Sequence, residues 1–244
     1  MNRRRGFSGG RLLVGLAIAV FALISYFGSK EYNPVTQEEQ YIGITPDQEI
    51  ALGLQAAPQI EAEFGGVHPD SNAQQLLDGV CRNLISGSDA GQAEWPYECT
   101  LLVDDETINA FALPGGQLYL TAGLYGRLQS EGQLAGVLAH EIGHAVARHS
   151  AQQIARQQLT QGLTGAVIIA SYDPENPNGA ATGQMAAVVG QLLTMRYSRE
   201  HELEADRLGV HLMSQAGYDP RMLIDVMRIL AEASDGQAPP EFFS

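Results

Sequence analysis

Two histidines four positions apart, His140 and His144, place the strongest constraint on how this chain can fold. Glu141 lies between them, while the rest of the stretch 137–147 is almost entirely small or apolar, which is typical of a buried helix. Burying two imidazoles and a carboxylate without partners costs several kcal/mol. Residues four apart share one face of a helix, so both rings can bind a single ion. The pattern therefore predicts a metal site on a buried helix.

The spacing His-Glu-x-x-His also predicts the chemistry of this site. Glu141 lies about 100° around the helix from His140, so it can face an open coordination position without binding the ion. Paired imidazoles with an open position favour Zn2+, which lowers the pKa of bound water to about 7 and polarises a carbonyl group. We expect one Zn2+ per chain, with Glu141 as the catalytic base that activates the zinc-bound water and passes its proton to a leaving amine.

A catalytic zinc ion needs a third protein ligand. One known pattern has glycine at 147 and histidine at 150, but this chain has Ala147 and Ser150. Further along, the stretch HELEAD places Glu202 four residues before Asp206, on the same face of a helix. We predict Glu202 as the third ligand. Asp206 is predicted to accept a hydrogen bond from a ligating histidine and so to fix the tautomer of that ring.

Other polar residues near these motifs are interpreted as structural or solvated. His149 follows the first histidine by nine residues, which turns it about 180° to the opposite face of a continuous helix. The same spacing separates His211 from the third proposed ligand. Glu200 and Glu204 lie about 200° from that ligand and are expected to face solvent.

The N-terminal 30 residues differ in charge from the rest of the chain. They contain no acidic residue, and three arginines at 3–5 precede an uncharged run at 12–27. This run is close to the length of about 17 to 25 residues that spans a bilayer, and it lacks small residues at a suitable cleavage site. We expect an uncleaved membrane anchor with its basic end cytoplasmic and the body of the protein on the other side. Cleavage and secretion are the alternative.

The body of the chain is strongly acidic. Five of the 14 lysines and arginines lie in the first 30 residues, so nine remain beside all 28 acidic residues. Such a surface repels phosphate backbones, which excludes nucleic acid as a partner. The two cysteines, Cys81 and Cys99, either form one disulfide in an exported domain or remain two buried thiols, and their spacing leaves this open.

The order of apolar periods and turn signals predicts an α+β fold that is mostly α-helical, with a small β-sheet beside the helix that carries the histidine pair. We divide the chain into an anchor at 1–30, a polar linker at 31–44 and one domain at 45–244. Helices are predicted to start from a capping box at Thr45 and to cover 72–85, a long stretch that starts just after Ser130 and runs to 159, then 183–196, 198–217 and 219–234. Strands are predicted at 98–103, 108–113 and 117–121.

Several blocks of the sequence together resemble a known family, the zinc metalloendopeptidases that include HtpX and the CAAX prenyl proteases, and most closely its bacterial envelope branch. The resemblance implies a zincin-like metalloprotease domain. It also implies zinc on His140, His144 and Glu202, with Glu141 as catalytic base and Asp206 in support. The blocks are NAFALPGGQLYLTAGL, LAGVLAHEIGHAVARH, YSREHELEADRLG and AGYDP, between about residues 109 and 220.

The resemblance further implies that one strand binds substrate along the cleft. An exposed strand edge can pair with an extended peptide and hold it across the metal. An ordinary core strand followed by a Pro-Gly turn is the alternative interpretation. The residues concerned are Asn109, Ala110, Phe111, Ala112 and Leu113.

As an expectation from the same resemblance, the protein hydrolyses peptide bonds in unfolded or damaged exported proteins, anchored in the bacterial inner membrane with its catalytic domain in the periplasm. Family members continue after PEFFS with a histidine that stabilises the oxyanion or gates the site, whereas this sequence ends at Ser244. Either the domain at 45–244 is incomplete at its C-terminus, or it lacks that group. The alternatives are a zinc-binding chaperone or scaffold-like protein with little proteolysis, and a zinc hydrolase with non-peptide substrates.

Overall fold

The computed structural model describes residues 9–171 and 197–233. Within these ranges the fold is mostly helical with two small sheets, which confirms the predicted class. The helix predicted at 183–196 lies outside the described residues. The helices are α1 Gly9–Gly28, α2 Pro46–Glu63, α3 Ser71–Ser86, α4 Ala122–Tyr125, α5 Glu131–Val146, α6 His149–Ser171, α7 Arg199–Gln215 and α8 Met222–Ala233. The strands are β1 Lys30–Asn33, β2 Glu38–Tyr41, β3 Glu98–Leu102, β4 Ala110–Ala112 and β5 Gln117–Thr121.

The larger sheet has the strand order β3-β5-β4 and confirms the three predicted strands. β5 pairs in parallel with β3 and antiparallel with β4, where Phe111 lies opposite Tyr119. The turn from β4 to β5 contains Gly115 and Gly116, whose φ angles of 80° and 94° are in the left-handed region that glycine adopts without strain. β4 is therefore an edge strand in the described part of the sheet.

Helix α5, which carries the histidine pair, lies at the centre of the domain. Every residue from Gln133 to Val146 is buried. The helix packs against α3, α7, α8 and β4, so its surroundings are largely apolar. Burying a leucine-sized side chain contributes about 1.5 to 3 kcal/mol, which gives this core enough stability to hold a polar site. Its largest buried members include Leu77, Leu84, Leu101, Leu118, Leu120, Leu134, Leu138 and Ile142.

Two of the predicted helix starts are observed with their capping residues. The hydroxyl of Thr45 accepts a hydrogen bond from the N–H of Gln48, and the Gln48 side chain accepts one from the N–H of Thr45. Ser130 caps α5 by accepting from the N–H of Gln133. These local contacts satisfy backbone groups that the first helical turn leaves without partners.

The long helix predicted after Ser130 is interrupted, so that prediction was wrong. α5 ends at Val146, Arg148 adopts a φ of 56°, and α6 begins at His149. The Arg148 guanidinium is held by the carboxylates of Glu49 and Glu31, and Nη2 donates to the carbonyl oxygen of Ile44 at 3.2 Å. These partners lie far away in the sequence, so the helical period alone could not reveal the break.

The antiparallel β1–β2 hairpin begins at Lys30 and occupies most of the segment 31–44, which the sequence predicts as a linker. The hairpin packs on the domain, because the side-chain amide of Asn33 donates to the carbonyl oxygen of Val146 at 2.7 Å. Asn33 also donates to Gln40 at 3.1 Å, and Ile42 is buried. This segment therefore joins α1 to the end of α5 through specific contacts.

Helix α1 is the one helix in residues 9–171 and 197–233 that is long and apolar enough to cross a membrane, at Gly10–Gly28. Most of its surface is exposed, including Leu13 and Phe21. One side packs along α6, where Ala22 faces Gly162. Cys81 of α3 and Cys99 of β3 form a disulfide, which settles the choice that their spacing left open.

Candidate metal centre

The site forms where α5 and α7 pack closely together. A Cβ atom at Gly143 of α5 would lie 2.9 Å from the carbonyl oxygen of Ala205 in α7, so glycine is required for this approach. Ser198 caps α7 by accepting from the N–H of His201 at 3.3 Å. Glu202 therefore lies in the first turn of α7 and faces the histidines of α5.

Three side chains from these two helices converge on one point. Nε2 of His140 lies 3.0 Å from Nε2 of His144. The Glu202 carboxylate places Oε2 3.4 Å from Nε2 of His140 and Oε1 3.8 Å from Nε2 of His144. All three residues are buried, and one donor atom from each lies within 4.8 Å of the others. The structure thus brings together the three residues that the sequence predicts as ligands.

The donor set fits a divalent metal ion. Glu202 Oε2 is buried and accepts no hydrogen bond within the described part of the chain. A buried carboxylate oxygen without a partner is costly, and a cation between the three donors would remove that cost. Two imidazoles and one carboxylate, with room for a further ligand, are the set that a catalytic zinc ion uses.

The charges of two donors suit metal binding, which requires an ionised carboxylate and neutral imidazoles. Burial raises the pKa of Glu202, but its contacts with His140 and His144 outweigh burial and lower that pKa to about 2. Burial lowers the pKa of His144 to about 3. At neutral pH Glu202 is therefore an anion and His144 is neutral.

His140 has a different electrostatic environment. Burial lowers its pKa, but its hydrogen bond with Asp206, its contact with the Glu202 carboxylate and the charge of Glu141 outweigh burial and raise that pKa to about 9. Nδ1 of His140 lies 3.0 Å from Oδ1 of Asp206. Asp206 occupies the position predicted for an acceptor, and it directs Nε2 of the same ring toward the other two donors.

Glu141 is buried on α5 beside the strand β4. Burial raises the pKa of its carboxyl group to about 7, against the lowering effect of the His140 charge. The backbone N–H of Ala112 donates a hydrogen bond to the Glu141 carboxylate. The free edge of β4 therefore faces the residue that the sequence predicts as a base.

The five residues predicted to bind substrate are divided between the core and this edge. The carbonyl oxygen of Asn109 and the N–H of Leu113 bond to β5 at 3.0 and 2.7 Å. In an antiparallel pair the backbone groups of alternate residues point the other way, so those of Ala110 and Ala112 point toward the free edge. The side chains of Phe111 and Leu113 pack in the core near Tyr119. Any peptide contact at this strand would therefore use its backbone.

The expectations for His149 and Glu204 were wrong, because the break at Arg148 moves the start of α6 toward the site. Nδ1 of His149 lies 2.9 Å from Nδ1 of His144. Nε2 of His149 lies 3.0 Å from Oε2 of Glu204, whose side chain is only 15% exposed. Neither contact has a signal in the sequence spacing, since each depends on the helix break.

Tyr197 is a second neighbour that the sequence did not indicate. Its ring stacks on His144 with centroids 4.2 Å apart and an interplanar angle of 22°. Its hydroxyl lies 2.7 Å from Oγ of Ser150, and burial raises the pKa of this phenol. As expected, Glu200 is exposed, and His211 lies away from the site, with its Nε2 3.0 Å from Asp89.

Comparison with known proteins gives consistent matches. The sequence profile of peptidase family M48 matches residues 71–244. The beta-barrel assembly-enhancing protease of Escherichia coli K12 is 33% identical over 200 residues, which cover 80% of this chain and 40% of that protein. The mitochondrial metalloendopeptidase OMA1 of Schizosaccharomyces pombe is 30% identical over 220 residues, which cover 88% of this chain and 61% of that protein.

This chain therefore spans less than two thirds of either relative's length. OMA1 of Arabidopsis thaliana is 36% identical over 145 residues, or 59% of this chain. The family profile covers more than half of the chain and includes His140, Glu141, His144 and Glu202. The chain belongs to peptidase family M48.

Proposed function

We propose that this protein is a zinc-dependent endopeptidase of the cell envelope that hydrolyses peptide bonds in unfolded or damaged exported proteins. The observation that carries the proposal is the convergence of His140, His144 and Glu202 from two helices, with Glu141 on the same helix as the two imidazoles. The names of the relatives, a protease and metalloendopeptidases, support the same reaction.

In this proposal, the zinc ion would be held by Nε2 of His140, Nε2 of His144 and a carboxylate oxygen of Glu202. When bound, zinc supplies a positive charge that polarises the peptide carbonyl and makes a water molecule more acidic. Asp206 accepts a hydrogen bond from Nδ1–H of His140 and so keeps the lone pair on Nε2 of that ring.

Glu141 acts as the general base. Its carboxylate accepts the proton of the attacking water and returns that proton to the nitrogen of the leaving amine. The pKa of about 7 suits both steps, because the group can lose and regain a proton near neutral pH. The hydrogen bond from Ala112 fixes the orientation of the carboxylate at the edge of β4.

The substrate is an extended polypeptide that pairs with the free edge of β4. Ala110 offers its N–H and carbonyl groups at this edge and Ala112 its carbonyl group, and such pairing requires no particular side chain in the substrate. Folded proteins seldom present an extended segment with unpaired backbone groups, since buried backbone groups are nearly all paired. This mode of binding therefore favours unfolded chains.

We place the protein in the inner membrane of a bacterial cell, with α1 as the anchor and the catalytic domain in the periplasm. The exposed apolar surface of α1 and the arginines at 3–5 support this orientation. The name of the Escherichia coli relative, a beta-barrel assembly-enhancing protease, is consistent with a protease that acts in the cell envelope.

A comparison of two variants tests the reaction. Glu141→Gln removes the base without removing a zinc ligand, and Glu131→Gln makes the same change at an exposed position of α5. We expect the full chain in detergent to cleave casein, Glu131→Gln to match it, and Glu141→Gln to lose at least about 100-fold in rate while zinc stays bound. Equal cleavage by Glu141→Gln would contradict the mechanism. Zinc binding without cleavage by the parent chain would favour the chaperone alternative.

A further inference from the structure

A row of hydrogen bonds runs from Glu204 through His149 to the predicted ligand His144. Oε2 of Glu204 lies 3.0 Å from Nε2 of His149, and Nδ1 of His149 lies 2.9 Å from Nδ1 of His144. His149 and His144 are buried, and the Glu204 side chain is 15% exposed. Neither His149 nor Glu204 takes part in the reaction as proposed above.

Assigning the protons shows which atom donates and which accepts in each hydrogen bond of this row. At neutral pH the carboxyl group of Glu204 is ionised, so it can only accept hydrogen bonds. Nε2 of His149 therefore carries a proton. A neutral imidazole has a single N–H, so Nδ1 of His149 presents a lone pair to His144.

A hydrogen bond between Nδ1 of His149 and Nδ1 of His144 needs one proton. Because Nδ1 of His149 has a lone pair, this proton is bound to Nδ1 of His144. With Nδ1 protonated, the lone pair of His144 is on Nε2, which lies 3.0 Å from Nε2 of His140 and faces Glu202. The opposite direction would put a proton on Nε2 of His144, and that nitrogen could not bind a metal ion.

We propose that His149 and Glu204 are positioning residues that hold His144 in the tautomer able to bind zinc. This inference rests on the proposed zinc site. His140 receives the equivalent support directly from Asp206, whereas His144 receives it through a second imidazole. All three acidic side chains involved, Glu202, Glu204 and Asp206, come from the first two turns of α7.

Aromatic stacking holds the two rings of the row in place. Tyr197 stacks on His144 at 4.2 Å, and His201 stacks on His149 at 4.3 Å with an interplanar angle of 16°. Both ring nitrogens of His201 lack hydrogen-bond partners within the described residues.

The test compares zinc affinity among variants of the full chain. Glu204→Leu removes the acceptor, and His149→Phe keeps the ring shape but removes both nitrogens. Glu204→Gln keeps an oxygen that can accept from Nε2 of His149. Glu200→Leu is the control, because Glu200 lies four residues earlier on the same helix and is exposed. The dissociation constant for zinc is measured by competition with a chromophoric chelator, and the visible spectrum of each cobalt-loaded variant reports the ligand geometry.

We expect Glu204→Leu and His149→Phe each to bind zinc about 10- to 100-fold more weakly than the parent, with an altered cobalt spectrum. Glu200→Leu is expected to match the parent, and Glu204→Gln to lose less affinity than Glu204→Leu. Thermal melting of the zinc-free variants separates lost folding from lost metal binding. If Glu204→Leu and His149→Phe both bind zinc as tightly as the parent, this inference is overturned but the proposed function is not. A parent chain that binds no zinc would overturn the proposed function as well.

Discussion

Gly143 of α5 faces the backbone of Ala205 in α7, and a Cβ atom at Gly143 would lie only 2.9 Å from the Ala205 carbonyl oxygen. On the opposite helix, a Cβ atom at Gly209 would lie 3.3 Å from the backbone nitrogen of His140. The two backbones therefore approach each other closely at two points along the helices that carry the predicted ligands. This approach is what allows Glu202 to reach the two imidazoles.

Gly143→Ala is expected to weaken zinc binding. The added methyl group must push α7 away from α5, and overpacking of this kind costs about 1 to 3 kcal/mol. We expect a lower melting temperature and at least a tenfold loss of zinc affinity, since about 1.4 kcal/mol corresponds to a factor of ten. The control is Gly79→Ala on α3, where nothing lies within 4 Å of an added Cβ atom. There the change should raise stability by about 0.5 to 1 kcal/mol. If Gly143→Ala binds zinc as tightly as the parent, the close approach of α5 and α7 does not determine the geometry of the metal site.

Asp206→Asn is expected to lower zinc affinity about 10- to 100-fold, because the carboxylate that fixes the tautomer of His140 becomes a weaker acceptor. Isothermal titration of the zinc-free protein measures the effect. The control is Asp225→Asn, at a half-buried acid on α8 that pairs with Arg228. If Asp206→Asn binds zinc as tightly as Asp225→Asn, the Asp206 carboxylate does not contribute to metal binding by His140.

Arg148→Met is expected to destabilise the fold by about 3 to 5 kcal/mol, because it leaves the buried carboxylate of Glu49 without its cation. Glu49 is only 1% exposed, and Arg148 donates to it from Nε at 2.7 Å. Urea unfolding of the domain gives the loss. The double variant Arg148→Met with Glu49→Gln should recover part of it, since no charge is then left buried. If the double variant is no more stable than Arg148→Met, the loss of stability does not come from the buried charge of Glu49. It would then come from the backbone conformation at position 148.

The proposal that α1 anchors the protein in a membrane is tested by charge substitution. Leu16 and Ile24 are exposed on α1, and an arginine in the bilayer centre costs about 2.5 to 3.5 kcal/mol on insertion scales. We expect the parent chain to stay in the membrane fraction after alkaline extraction. The double variant Leu16→Arg, Ile24→Arg should be released. Leu54→Arg, which makes the same change at an exposed position of α2, should stay. Release of all three proteins would remove α1 as an anchor.

The parts of the fold that local sequence determines were predictable. Thr45 and Ser130 cap helices because their hydroxyls bond to backbone groups three residues away, and β4 and β5 follow from alternating residues around a glycine turn. The approach of Glu202 to the histidine pair also followed, since each motif places its residues on one helical face. The chain accordingly has the zincin-like fold that its motifs indicate.

Features that depend on distant contacts were not predictable in this way. The break at Arg148 is held by Glu49, which is 99 positions away. That break brings His149 against His144 and gives Glu204 a buried partner. The helical period alone therefore predicted the wrong surroundings for His149 and Glu204. The packing of the β1–β2 hairpin depends in the same way on the contact between Asn33 and Val146.

The most direct test of the account is a crystal structure of the zinc-loaded protein with data collected at the zinc absorption edge. We predict one anomalous peak per chain, bound by Nε2 of His140 and of His144 at about 2.0 to 2.1 Å and by a Glu202 carboxylate oxygen at about 2.0 to 2.2 Å. A peak elsewhere, or a Glu202 side chain turned away from the two imidazoles with no other acid in its place, would contradict the account.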